Sequence, residues 1–175
     1  MELTQSASPS KEFTPAAHTK VKRGANRAVW DRDTIYAILD MNLVASIAFA
    51  HDGPFPTVLP VGYVRDGDFL LFHGKTSSLL QKQLAAGTPI CVSIFSLDAL
   101  VCAKSAMHHS VNYRGVVVYG SCEVVDGAAK RRALDLITDG LTWPGRAAEC
   151  RPTTDAEFAA TMVTRLELKD GNVSC

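Results

Sequence analysis

The 175-residue chain carries 18 basic and 18 acidic side chains, so its formal net charge is zero. That balance argues against a nucleic-acid binder that works by neutralising phosphates. With 47% apolar residues the chain is long enough to bury a real core as one domain. No run approaches the roughly 18–20 consecutive apolar residues of a membrane span, and the polar start has no signal-peptide core, so a cytoplasmic protein that engages neither membrane nor nucleic acid is expected. The five cysteines are odd in number and form no Cys-x-x-Cys pair, which speaks against a disulfide framework or a structural zinc.

Residues 1–27 hold Ser, Pro, Thr, Lys and Ala without an apolar period and read as a flexible arm, with a single domain over residues 28–175. Asp33 is the expected N-cap of a two-turn helix over residues 33–40, whose Ile35, Ile38 and Leu39 fall on one face. Strands are expected over residues 43–50, 56–64 and 69–73. The last two are joined through Asp66-Gly67, a hairpin signal. Pro60 inside the second of these runs demands an edge position or an irregularity, because it cannot donate to a ladder. Thr76 or Ser77 is the expected cap of a second helix, residues 78–86, which Gly87 terminates. Runs at 90–95, 99–103 and 113–125 read as strands, 128–137 as a third helix and 162–168 as a last strand, after a loop around Trp143-Pro144-Gly145. Six or seven strands and about three short helices, without βαβ alternation, indicate a mainly β, α+β fold: a largely antiparallel barrel with peripheral helices.

Two segments carry chemistry. In His73-Gly-Lys-Thr-Ser-Ser78 a strand ends in a small-residue turn that feeds a helix. Backbone N–H groups, the hydroxyls of Ser77 and Ser78, and the Lys75 ammonium then converge as a phosphate requires. The other reading of the same residues is a capped helix with an exposed lysine. In Met107-His-His-Ser-Val-Asn-Tyr-Arg-Gly115 the period of a strand puts His109, Val111 and Tyr113 on one side, and Ser110, Asn112 and Arg114 on the other. Arg114 beside Asn112 can fork onto a phosphate or carboxylate; a surface arginine and a core tyrosine are the alternative. His108 and His109, as strand neighbours, face apart, and no His-Glu-x-x-His or Cys pair supplies further ligands, so no metal site is expected.

Asn26-Arg-Ala-Val-Trp-Asp-Arg32, Ile38-Leu-Asp40, Leu59-Pro-Val-Gly-Tyr63, Phe72-His-Gly-Lys75, His109-Ser-Val-Asn-Tyr-Arg114 and Val117-Val-Tyr-Gly120 occur in this order. Together they resemble the flavin-nucleotide-binding branch of the pyridoxamine 5′-phosphate oxidase-like superfamily, which includes the 5-nitroimidazole resistance (Nim-type) proteins. The resemblance covers roughly residues 23 to 170. It implies an antiparallel split β-barrel that binds FMN at the interface of a homodimer. Lys75 with Ser77 or Ser78 would hold the FMN phosphate. Leu59, Pro60, Val61 and Gly62 would run along the isoalloxazine edge, and Asn112, Tyr113 and Arg114 would contact ribityl or phosphate groups from either subunit. His73 would be the catalytic residue that positions or protonates a small, nitro-aromatic substrate of a flavin-dependent oxidoreductase. A non-catalytic flavin- or haem-binding module is the alternative. Gly115 stands where relatives carry a serine, Trp30 where tyrosine is common, and the chain stops at Cys175 where many relatives continue; if that tail lines the pocket in relatives, either a more open site or a truncated product is expected here. The C-terminal arginine and histidine signature of pyridoxamine phosphate oxidation itself is absent.

Overall fold

The computed structural model describes residues 10–175. Five α-helices and eight strands make up the described residues. The first helix, α1 (Arg32–Asp40), begins one residue before the expected start, and its N-cap is Asp31, not Asp33. The Asp31 carboxylate accepts from the Thr34 backbone at 2.8 Å, and Asp33 lies inside the first turn. Ile35, Ile38 and Leu39 are buried, as their spacing requires.

Strands β1 (Val44–Phe49), β2 (Thr57–Asp66) and β3 (Phe69–Lys75) follow as a meander. The β2–β3 hairpin turns at Gly67, whose φ of +57° a two-residue loop needs. Helix α2 (Leu79–Ala85) then leads to β4 (Ile90–Val101) and β5 (Ser110–Gly120). The two runs expected at 90–95 and 99–103 are one strand, because the ladder to β5 absorbs Asp98 as a register shift between Leu97 and Ala99. The single strand expected over 113–125 is two. After β5 the chain leaves the ladder at Ser121–Cys122 and resumes as β6 (Glu123–Val125), which pairs with a different neighbour.

Helix α3 (Gly127–Leu141) runs longer than expected, and the region read as a loop contains α4 (Arg146–Glu149) and α5 (Asp155–Ala160). The capping box of α5, Thr154 with Glu157, is a sequence signal that the loop reading passed over. Strands β7 (Thr161–Glu167) and β8 (Val173–Ser174) complete the chain.

All pairs are antiparallel, in the order β6-β7-β3-β2-β1-β4-β5-β8. The barrel splits within β2. Residues 57–62 pair with β1 alone, whereas Tyr63 to Asp66 pair with β3. Beyond Phe72, β3 pairs only with β7. Two arms, residues 57–62 and residues 73–75, therefore diverge from the Tyr63–Phe72 pair. Pro60 lies on the first arm, which has a strand on one side only, so its missing N–H breaks no ladder there.

The main core fills the barrel with Ile47, Phe72, Val92, Ile94, Val116, Val118 and Leu166 around the buried face of α1. The Tyr63 hydroxyl donates to the Leu39 carbonyl at 2.5 Å. A second cluster (Leu71, Val125, Ala133, Ile137, Val163) seats α3 on β3, β6 and β7.

The expected flexible arm is only partly described, since residues 1–9 lie outside the described residues. From Glu12 onward it lies against the barrel. Phe13 is buried, its N–H donates to the Trp30 carbonyl at 2.8 Å, and Gly171 donates to Thr14 at 2.7 Å. The Arg32 guanidinium stacks 3.8 Å over the Phe13 ring. One aromatic anchor and a few backbone bonds are enough to dock a segment that has no apolar period.

Candidate functional site

Three places in this fold hold the residues singled out in the sequence. The first is the slot between the arms of the split. On its β2 side, Leu59 and Val61 pack inward against the core, while Pro60 is exposed. A side chain at position 62 would touch Leu141 of α3 at 3.4 Å. The free edge of residues 59–62 thus offers backbone donors and acceptors, with side chains above and below it. On the β3 side stand His73 and Lys75.

The β3–α2 turn is tight: Ser78 N–H donates to the Lys75 carbonyl at 3.0 Å, and Thr76 N–H to Ala160 at 3.0 Å. The helix cap is Ser78, whose hydroxyl accepts from the Gln81 backbone at 3.3 Å. Thr76 and Ser77, the expected caps, are exposed and outside the helix. The cap position falls where the backbone turns extended, and Ser78 has φ −70°, ψ 146°. Lys75 is exposed and makes no ion pair among the described residues. The turn therefore carries one uncompensated cation and a free hydroxyl at Ser77.

His73 is half-buried, and its Nδ1 has no hydrogen-bond partner. Burial holds its pKa below the ordinary histidine value. The unfolded chain then binds the proton more readily than the folded one. This residue's contribution to stability is complete above about pH 6.5 and is lost as pH falls through the lower folded pKa. The urea midpoint should accordingly drop further between pH 7 and pH 5 in the unaltered chain than in His73→Gln; equal drops would contradict this assignment. Behind the same turn, Gln81 is 1% exposed with its Oε1 unpartnered, and its Cγ lies 3.0 Å from where a Cβ on Gly74 would stand.

The second place is the outer side of the β4–β5 hairpin. Cross-strand partners share a face, so Phe95, Leu97, Leu100, Val111 and Tyr113 form one row pointing away from the core. They are 65%, 58%, 71%, 45% and 64% exposed. A groove of about 440 Å³ runs along this row past Ser93, Gly115 and Val117.

The third place borders the second on the same hairpin and shares Val111, Tyr113, Gly115 and Val117 with it. Asn112 and Arg114 face opposite to Tyr113, as the period of two requires, and line a cleft of about 510 Å³ against the N-terminal segment. Arg114 is not free: its Nε and NH2 fork onto Asp98 at 2.8–3.1 Å. Asp98 is the residue at the register shift, exposed beside Arg114. The arginine holds the Asp98 carboxyl below its usual range through these hydrogen bonds. Arg23 and Arg27 line the same cleft. Neither they nor Asp98 stands out in the sequence, since only the docked N-terminal segment and the bulge bring them here.

Within one protomer the slot residues and the hairpin share no cavity lining. From β3 to β5 the sheet takes four steps, through β2, β1 and β4, each of about 4.8 Å. Lys75, Ser77, Ser78 and His73 line neither the groove nor the cleft. Among the described residues no three His, Cys, Asp or Glu side chains are grouped to hold a metal ion, and no helix is long and apolar enough to cross a membrane.

Comparison with known proteins agrees with this architecture. The family model described as pyridoxamine 5′-phosphate oxidase matches residues 31–174, and the chain belongs to that family. Its structure is similar to that of the FAD and heme binding protein from Mycobacterium smegmatis, at 38% identity over 85% of this chain and 71% of that one, with a TM-score of 0.80. It is also similar to a flavocytochrome from Azotobacter vinelandii, at 34% identity over 93% and 74% of the two chains, with a TM-score of 0.84. A candidate 5-nitroimidazole antibiotic resistance protein from Bacteroides thetaiotaomicron shares the fold at 17% identity, 84% coverage of each chain and a TM-score of 0.69. No curated protein matches the sequence.

Proposed function

We propose that this family member binds a flavin nucleotide in the slot of the split barrel and works as a homodimeric oxidoreductase on a small molecule. The observation that carries the reading is the split itself. It leaves the backbone edge of residues 59–62 unpaired opposite a turn with an uncompensated Lys75 and an exposed Ser77. A planar ring with several hydrogen-bonding edges and a phosphate tail suits that pairing. Flavin similarity in two relatives above 30% identity supports it.

A second copy completes the arrangement. The row of Phe95, Leu97, Leu100, Val111 and Tyr113 is a contiguous apolar surface, which soluble monomers rarely expose. If that row is buried against a partner, the partner's hairpin can bring Asn112, Tyr113 and Arg114 to this protomer's slot. FMN, the form implied by the resemblance, comprises the portion of the ligand that these contacts serve. The flavin supplies the electron transfer; the chain binds, orients and shields it. His73, at the slot with an unpartnered ring nitrogen, is placed to hold a proton near the substrate, and nitro-aromatic acceptors are the class to assay first.

The test is titration with flavin, followed by its visible absorption. Binding should give an oxidised-flavin band near about 450 nm in the protein fraction. Lys75→Ala should weaken binding roughly 10–100-fold, the equivalent of one charge-assisted contact of about 1.5–3 kcal/mol. Unchanged affinity in that variant would remove the phosphate assignment.

Haem binding is a second reading, favoured because one relative at 38% identity is described as an FAD and heme binding protein and another at 34% as a flavocytochrome. The partnerless Nδ1 of half-buried His73 is a donor that such a ligand could use, and His108 and His109 are exposed at the hairpin turn. A Soret band on haem addition, lost in one of these histidine variants, would establish it.

A further inference from the structure

Lys130 is a buried cation that the contacts assigned above leave unused. It sits near the start of α3, is 8% exposed, and has no carboxylate partner among the described residues. Its Nζ donates to the Phe158 carbonyl of α5 at 2.8 Å and lies 4.1 Å from the centre of the Phe158 ring. The Arg131 guanidinium stands over the same ring at 4.6 Å. The Phe158 carbonyl already accepts from the Thr161 N–H, so the lysine is not needed to satisfy it. Taking an unpaired charge out of water is costly, and the lysine therefore calls for a role of another kind.

The element it holds has no apolar anchor of its own. No side chain of α5 is buried, whereas α3 is seated on the barrel through Ala133 and Ile137. The end of α5 runs directly into the β3–α2 turn. The Ala160 carbonyl accepts the Thr76 N–H at 3.0 Å, and the next residue, Thr161, stands opposite Lys75 in the β3–β7 ladder. The clamp from α3 thus reaches the turn through one short piece of backbone. A cation is also the favourable sign of charge at the last carbonyls of a helix.

We propose that Lys130 is a positioning residue for the flavin phosphate: by clamping the C-terminal end of α5 it sets where the β3–α2 turn presents Lys75 and Ser77. The inference rests on the flavin reading and adds to it a residue outside the slot on which phosphate recognition depends. Lys75 is exposed and carries its charge on a flexible stem, so it and the Ser77 hydroxyl converge on one anion only where the backbone beneath them keeps its place. Without the clamp, the end of α5 and the turn bonded to it gain freedom, and a bound phosphate has to order them again.

The experiment titrates the full chain with FMN and with riboflavin, which has the same ring and ribityl chain but no phosphate, for the unaltered protein, Lys75→Ala, Lys130→Met and the double variant. Lys130→Met should lose about tenfold in FMN affinity while its riboflavin affinity stays within about twofold. The double variant should lose little more than Lys75→Ala alone, because both residues act on one contact. Methionine keeps the length of the stem and removes a buried charge, so the urea midpoint should hold or rise. Lys130→Leu should behave in the same way. A purely structural lysine would instead lower the midpoint and weaken both ligands together, and that result, or a chain that no longer folds in either variant, would overturn the proposal. Unchanged FMN affinity in Lys130→Met beside a selective loss in Lys75→Ala would also overturn it and leave the phosphate turn standing. An equal loss of FMN and riboflavin in Lys75→Ala would remove the phosphate assignment and this inference with it.

Discussion

Leu97→Asp should yield a folded, monomeric chain that no longer retains flavin. Leu97 is 58% exposed in the protomer and stands mid-row between Phe95, Leu100 and Tyr113. On the lone protomer an aspartate there meets water and costs the fold little. Buried against a second copy, it is an unpaired charge without a partner, and the penalty is several kcal/mol for each copy of the interface. At about 1.4 kcal/mol per tenfold, dimer affinity falls by roughly a thousandfold or more. Because a two-fold interface repeats each contact, both protomers lose together. The flavin then loses the hairpin contacts from the second chain, and retention through gel filtration should fail. A variant that stays dimeric and yellow would show that this row is not the interface. Leu97→Ala, which removes area without adding charge, should weaken the dimer far less.

The largest effect on stability is expected at Phe72. Its side chain is fully buried, and its backbone is the last on β3 to pair with both β2, through Tyr63, and β7, through Thr164. It therefore wedges the point from which the two arms diverge. Phe72→Ala removes a phenyl ring from a packed core whose walls are strands fixed by ladders on both sides, so little collapse can refill the space. The cost should be about 3–5 kcal/mol, read as a lowered urea midpoint at unchanged slope. A cost below about 1.5 kcal/mol would mean that the barrel repacks at the split, and the slot would then not be the preformed feature described here. The arms also frame the proposed flavin site, so the variant should bind flavin more weakly even where it is fully folded.

Much of this architecture is written in local pattern. The α1 stripe of Ile35, Ile38 and Leu39, the hairpin at Gly67, the stop at Gly87 and the alternation through Val111–Arg114 each depend on neighbours a few residues apart, and each is found where the sequence places it. Helix caps were harder to place: Asp31 and Ser78 act where Asp33 and Thr76 or Ser77 were expected, because adjacent residues have the same capping chemistry and the tertiary entry angle selects among them. The two-residue β8 and the break between β5 and β6 have no local signature; they exist because β5 and β7 belong to opposite sides of the split. The docked N-terminal segment hangs on Phe13, one aromatic in a polar stretch, which carries no period to read. For the same reason the cleft with Arg23 and Arg27 was not legible. Collinear motifs pointed to the slot residues. That Asn112 to Arg114 lie four strand steps from Lys75 emerges only from the sheet order.

The central claim is that flavin is held between two copies of this chain. Sedimentation velocity of the flavin-loaded protein, recorded at about 450 nm, where flavin absorbs and the polypeptide does not, tests it in one measurement. The boundary should move as a single species of about twice the 18.8 kDa chain mass. A coloured boundary at the mass of one chain, or colour left behind with the small molecules, would contradict the account.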